Sequence, residues 1–250
     1  MEVFDSTGDR PADGGAGVVV CDGVGSYRDS GIVAERVATV ARNHLAGTGL
    51  GSGMWELAEI ANESLIDSVE GATTLIAVGA DPGGSVYYAY VGNGAIVELQ
   101  PRRVGPQLVQ LRWVDVALPQ ISWEEGRPAL RSFLPIEAGE LDVSKGVRVA
   151  TGGSPRLFLA CSDGIATDED RAQARSKQGR FWKSVPIPLA RLVDEIGRSW
   201  DELLDVSQAE AGALLESVLG RTLAAMLEES ELDDDASVGC VLLRLSGGAP

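Results

Sequence analysis

Apolar positions along the chain fall into two kinds of pattern. Short unbroken runs such as Gly17-Val18-Val19-Val20-Cys21 suit strands buried on both faces. Between residues 31 and 46, Val33, Val37, Val40 and Ala41 recur at helical spacing, with Asp29 or Ser30 to cap the start and Gly47 to end it. A second stripe of Met54, Leu57, Ala61 and Leu65 predicts a helix over 53–69, closed by Gly71. The middle of the chain reads as strands. Thr73–Val78 and Val86–Val91 flank the turn cluster Asp81-Pro82-Gly83-Gly84, and Asn93-Gly94 before Ala95–Leu99 is a strong hairpin signal. Leu108–Leu118 is a further strand, and residues 119–146, with Pro119, Pro128 and Pro135, read as irregular. Val147–Ala150 and Leu157–Cys161 are strands around the Thr151–Pro155 turn. Residues from about 166 to 230 read mostly as helix, and Val238–Leu245 as a closing strand. This order predicts an α+β protein whose helices cover a largely antiparallel sheet core. No linker or repeat interrupts it, so residues 1–250 are expected to form one domain.

Composition narrows the chemistry. The chain carries 21 Lys+Arg against 37 Asp+Glu, a formal charge of −16. Such a surface repels phosphate backbones and anionic membranes, so neither nucleic acid nor a membrane is an expected partner. Divalent cations and basic protein segments suit it better. No apolar run is long enough to span a bilayer, and Met1-Glu2-Val3-Phe4-Asp5 does not resemble a secretion signal. Cys21, Cys161 and Cys240 are odd in number and lie in or beside apolar runs, which points to reduced thiols and a cytoplasmic protein. The only histidine, His44, excludes His-rich zinc sites and reads as a packing residue of the first helix.

Acids stand at the ends of apolar runs. Val18–Cys21 leads into Asp22-Gly23, Leu157–Ser162 leads into Asp163-Gly164, and Asp233-Asp234-Asp235 immediately precedes the run from Val238. A carboxylate at a strand end is rigidly held, and hard cations such as Mg²⁺ and Mn²⁺ take oxygen ligands. Each case also fits an ordinary turn or solvated loop.

Five blocks, in this order, resemble the type-2C metal-dependent protein serine/threonine phosphatases. They are Asp22-Gly23-Val24-Gly25, Gly71-Ala72-Thr73-Thr74, Tyr90-Val91-Gly92-Asn93-Gly94, Leu157–Gly164 and Asp234-Asp235-Ala236-Ser237-Val238. The resemblance implies a four-layer αββα sandwich, two mainly antiparallel sheets flanked by helices, with a two-metal site at one edge. It implies hydrolysis of phosphoserine and phosphothreonine by a metal-activated water, with Asp22, Asp163 and Asp234 as the catalytic acids. By the same resemblance Asp22 bridges two Mn²⁺ or Mg²⁺ ions, the Gly23 carbonyl binds one, and Asp163 and Asp234 hold the other. Asp9, in Thr7-Gly8-Asp9-Arg10, matches an N-terminal acidic motif. The implied partners are a phosphorylated protein substrate and an opposing Ser/Thr kinase.

Departures from the pattern carry a second reading. Only 21 residues precede Asp22, Gly8 stands where an acid or amide often does, and Ser26 replaces a second glycine. Asn93 replaces an aspartate tied to a further, weaker metal position. These changes keep open a catalytically weak or inactive binding or regulatory module on the same fold, and a hydrolase of small phosphoesters is a third reading. Arg10, Arg28 and Arg156 are the basic residues nearest the motifs, available for phosphate or as plain surface charges. Trp55, Trp113, Trp123, Trp182 and Trp200 read as packing residues, with Trp123 and Trp182 also candidates for a partner surface. The basic stretch Thr167–Ser184 fits either a flap beside the site or a solvated helix and loop. Cys21 and Cys161 sit close enough to the acids to raise oxidation sensitivity as an expectation.

Overall fold

Val18 and Val20 are buried in one cluster of side chains and Val19 in another, as a strand covered on both faces requires. The same alternation recurs along 75–80 and 86–91, which sets the layer order there. The computed structural model describes residues 11–65, 70–105, 109–117, 119–124, 127–136, 140–149, 154–166, 187–232 and 235–244, with side chains left out at 123, 124, 127 and 128. One sheet pairs β1 (Ala16–Val20), β2 (Leu75–Ala80), β3 (Ser85–Val91) and β8 (Ser144–Val149) in that order. The other runs β10 (Val238–Leu243), β9 (Arg156–Cys161), β4 (Ala95–Arg103) and β5 (Val109–Ala117). Every pairing is antiparallel. Ile76, Val78 and Tyr90 of the first sheet meet Ile96, Phe158, Ala160 and Val241 of the second between the sheets.

Helices close both outer faces. Helix α1 (Ser30–Thr48) and helix α2 (Leu50–Glu63) lay Val33, Val37, Ala41, Met54 and Leu57 over Val19, Leu75, Ala77 and Ala89. On the other side, α3 (Ile187–Arg198), α4 (Trp200–Asp205) and α5 (Gln208–Glu228) cover Val97, Leu99, Leu157 and Leu159. In α3 the buried residues Leu189, Leu192, Val193 and Ile196 follow helical spacing, so one stripe faces the sheet. The four-layer αββα sandwich that the resemblance implied is the observed architecture.

Boundaries differ in instructive places. Helix α2 begins at Leu50 rather than 53 and ends at Glu63 rather than 69. Its start is set by Gly49, whose φ of 79° breaks the path from α1, and by Asp13. The Asp13 carboxylate accepts from Leu50 N at 2.7 Å and from Gly15 N at 3.1 Å. The segment 119–146, expected to be irregular, contains a hairpin of β6 (Ile121–Glu124) and β7 (Arg127–Leu130) and the start of β8. Pro128 fits there because this two-stranded ribbon has open edges. Of the helical region expected from 166 to 230, residues 167–186 lie outside the described residues, so the Thr167–Ser184 flap and Trp182 do too.

Candidate functional site

Strand register brings the acids to one edge of the sandwich. Val20 pairs with Ile76, and continuing two residues sets Asp22 opposite Thr74. The contact is made: Asp22 N donates to Thr74 Oγ1 at 3.1 Å and Thr74 N to the Asp22 carbonyl at 2.8 Å. Thr73 Oγ1 donates to that same carbonyl at 2.9 Å. The two threonines of the Gly71–Thr74 segment thus clamp the backbone that carries Asp22. On the far side, Thr73 exchanges both backbone hydrogen bonds with Leu134 at 2.8 Å, so the loop before Pro135 supports the clamp.

Gly23 forms an isolated antiparallel bridge with Thr73. The flanking bonds are Val24 N to the Ala72 carbonyl and Thr74 N to the Asp22 carbonyl. Gly23 is therefore the non-hydrogen-bonded member of the ladder, and its own carbonyl is turned away from Thr73. A side chain could not replace it, because a Cβ would stand 2.9 Å from the Ser30 backbone at the start of α1.

The second sheet delivers Asp163. Cys161 pairs with Ala95 on one side and with Val238 on the other. Two residues beyond each pair, Asn93 and Ala236 come beside Asp163. Asn93 Nδ2 donates to Asp163 Oδ2 at 2.7 Å. Ser162 secures the closing loop: its N–H donates to the Ser237 carbonyl, its Oγ accepts from Ser237 N, both at 2.9 Å, and its hydroxyl donates to the Asp235 carbonyl at 3.4 Å.

Asp22, Gly23 and Asp163 are each partly exposed, at strand ends that open on the same edge. Asp9 and Asp234 lie outside the described residues, and among the described residues no three acids, histidines or cysteines gather at one point. The donors fit a hard divalent cation: two carboxylates, a carbonyl released from its ladder, and no nitrogen or sulfur ligand. Among the described residues no lysine or arginine pairs with Asp163, whose one recorded partner is the neutral Asn93 amide.

The basic candidates separate. Arg28 is exposed in the loop after Gly23, while Arg10 lies outside the described residues. Arg156 is committed elsewhere, donating at 2.5 Å to Glu98, a carboxylate 1% exposed that Arg148 also reaches at 3.2 Å. Glu98 belongs to one sheet and Arg148 to the other, so this group ties the two together. His44 sits beside α2 with Nε2 3.8 Å from Glu56, in the packing position expected. Burial pushes the Cys21 thiol well above its ordinary range and the Cys240 thiol up to about 12. Trp200 and Trp113 pack in the core, whereas Trp55 is 43% exposed with Lys145 5.8 Å above its ring. The side chains of Trp123 and Trp182 lie outside the described residues.

Gln120 was not visible from the sequence as part of this site. It is 5% exposed, accepts from Gly92 N through Oε1 at 2.8 Å, donates its own N–H to the Gly92 carbonyl at 2.8 Å, and donates Nε2–H to the Asp142 carbonyl. A lone glutamine between a proline and an isoleucine carries no pattern that would have marked it.

Compared by sequence, the chain matches no family profile and no curated protein. Solved structures are similar to it over most of its length. The PPM Ser-Thr phosphatase of Mycobacterium smegmatis, solved with cacodylate, is 18% identical with a TM-score of 0.56, covering 90% of this chain and 87% of that one. The serine/threonine phosphatase of S. agalactiae is 13% identical with a TM-score of 0.54, covering 97% and 96%. The catalytic domain of the phosphatase PstP, in complex with two manganese ions, is 16% identical with a TM-score of 0.54, covering 91% and 87%. The chain has the fold of the PPM-type, type-2C-like serine/threonine phosphatases.

Proposed function

We propose that this protein is a metal-dependent phosphatase acting on phosphoserine and phosphothreonine in proteins. One observation carries the reading: in a phosphatase fold, the strand ends bearing Asp22, Gly23 and Asp163 open on one edge of the sandwich. The Asp22, Asp163 and Asp234 carboxylates and the Gly23 carbonyl would together hold two Mn²⁺ or Mg²⁺ ions. Asp9 would complete the acids, and Asp22, Asp163 and Asp234 are the catalytic group. Bound divalent ions supply a water of lowered pKa and neutralise charge on the phosphoryl oxygens.

The chain's own part is positioning. Thr73 and Thr74 fix the Asp22 turn through its backbone. Ser162 ties the Asp235–Ser237 loop to the strand that carries Asp163. A protein of charge −16 would otherwise repel a phosphoryl group, and cations at the acids invert that local field. We place the protein in the cytoplasm, opposed by a Ser/Thr kinase. Among the described residues no helix is long and apolar enough to cross a membrane.

The test is hydrolysis of a phosphothreonine peptide with Mn²⁺, with and without EDTA, beside an Asp163→Asn variant. The expected result is turnover that needs the metal and falls by at least about a hundredfold in the variant. A folded wild-type protein that binds the peptide without turning it over would favour the regulatory-module reading instead.

A further inference from the structure

Asn93 is held with unusual care for a turn residue. Gly92 before it has φ of 138°, and a Cβ there would meet Thr74 Cβ at 2.7 Å. Both backbone groups of Gly92 are taken by the buried Gln120. Gly94 after it lies so close to β9 that a Cβ would stand 2.2 Å from the Cys161 carbonyl, and its own carbonyl accepts from the buried Tyr90 hydroxyl at 3.0 Å. Four residues thus fix the backbone on both sides of Asn93. What the fixed turn presents is one side-chain amide, 2.7 Å from Asp163 Oδ2. Since an ionised carboxylate can only accept, the group facing it must be the Nδ2 donor, which sets the orientation of the amide.

We infer that Asn93 is a positioning residue that holds the Asp163 carboxylate in a single orientation, with Oδ2 bound to the amide and Oδ1 left for a cation. This rests on the metal-dependent reading above. Partners that orient a ligating carboxylate are worth a factor of about ten to a hundred in metal affinity. Asn93 does not need to touch metal or substrate to have that effect.

The test is calorimetric titration of the full chain with Mn²⁺ for wild type, Asn93→Leu, Asn93→Ala and Asp163→Ala. Asn93→Leu keeps the side-chain size and removes the donor. Thermal unfolding in EDTA establishes that each variant is folded, and Asn93→Ala serves if the leucine does not fit. Both Asn93 variants are expected to bind Mn²⁺ about ten- to a hundredfold more weakly than wild type. In wild type, the Asn93 side-chain amide protons should be shifted and slow to exchange in the ¹⁵N NMR spectrum, and should lose both properties in Asp163→Ala. Wild-type affinity in a folded Asn93 variant would overturn the positioning role while leaving the metal site intact. Failure of the wild type itself to bind Mn²⁺ would overturn the metal reading and this inference with it.

Discussion

Gly94 and Gly220 are the same residue type under opposite constraints. At Gly94 a Cβ would overlap the Cys161 carbonyl, a backbone atom that cannot rotate away. At Gly220, on helix α5, a Cβ meets nothing within 4 Å. Gly94→Ala should therefore cost at least about 2 kcal/mol, as overpacking against a fixed neighbour does. Gly220→Ala should instead gain about 0.5–1 kcal/mol from helix propensity. Urea denaturation of the two variants measures both. At this scale the sequence was readable where a motif recurs and silent where geometry decides. Asp22, Gly23, Thr73, Thr74 and Asp163 could be picked out as members of blocks. That Arg156 serves Glu98 rather than a phosphate, and that Gln120 locks Gly92, depends on strand register and loop packing that no local pattern encodes.

Helix starts show how tertiary contacts take over a local signal. Helix α5 opens with a capping box: Ser207 Oγ accepts from Glu210 N, and the Glu210 carboxylate accepts from Ser207 N at 2.9 Å. Hydrogen bonds from the Ser207 side chain and backbone hold the Glu210 carboxyl below the usual carboxylate range. Helix α2 has no such residue of its own, since its N-cap is Gly49. Its cap comes from Asp13, 37 positions earlier, whose carboxylate reaches Leu50 N. Asp13→Ala should lower stability by about 1 kcal/mol, the usual cost of losing an N-cap, and a fall in Tm by differential scanning calorimetry would register it. Without knowledge of that contact, the apolar stripe from Met54 suggested a start at 53. The β6–β7 hairpin was missed for a related reason. Three prolines between 119 and 135 argue against a central strand, but they do not forbid a two-stranded ribbon off the main sheets.

For the molecule as a whole, the apolar pattern made helices over an antiparallel sheet core legible, and the resemblance to type-2C phosphatases supplied the two-sheet, four-layer arrangement. Continuous apolar runs marked strands enclosed by a sheet on one side and helices on the other, and the amphipathic stripes marked the helices that enclose them. Residue order alone could not say which strand ends meet. Antiparallel register does, by bringing the Asp22 turn onto Thr73 and Thr74 and the Asp163 turn onto Asn93 and the Ser237 loop. The acid excess and the oxygen donors agree with the proposed function, in which cations would offset the protein's negative charge where a phosphoryl group binds.

Anomalous diffraction at the manganese edge, from crystals of the full chain grown with Mn²⁺, tests this account most directly. Anomalous peaks are expected within ligand distance of the Asp22 and Asp163 carboxylates, with the Gly23 carbonyl facing one of them. Crystals saturated with Mn²⁺ that show no peak at that edge, or peaks only elsewhere on the surface, would contradict it.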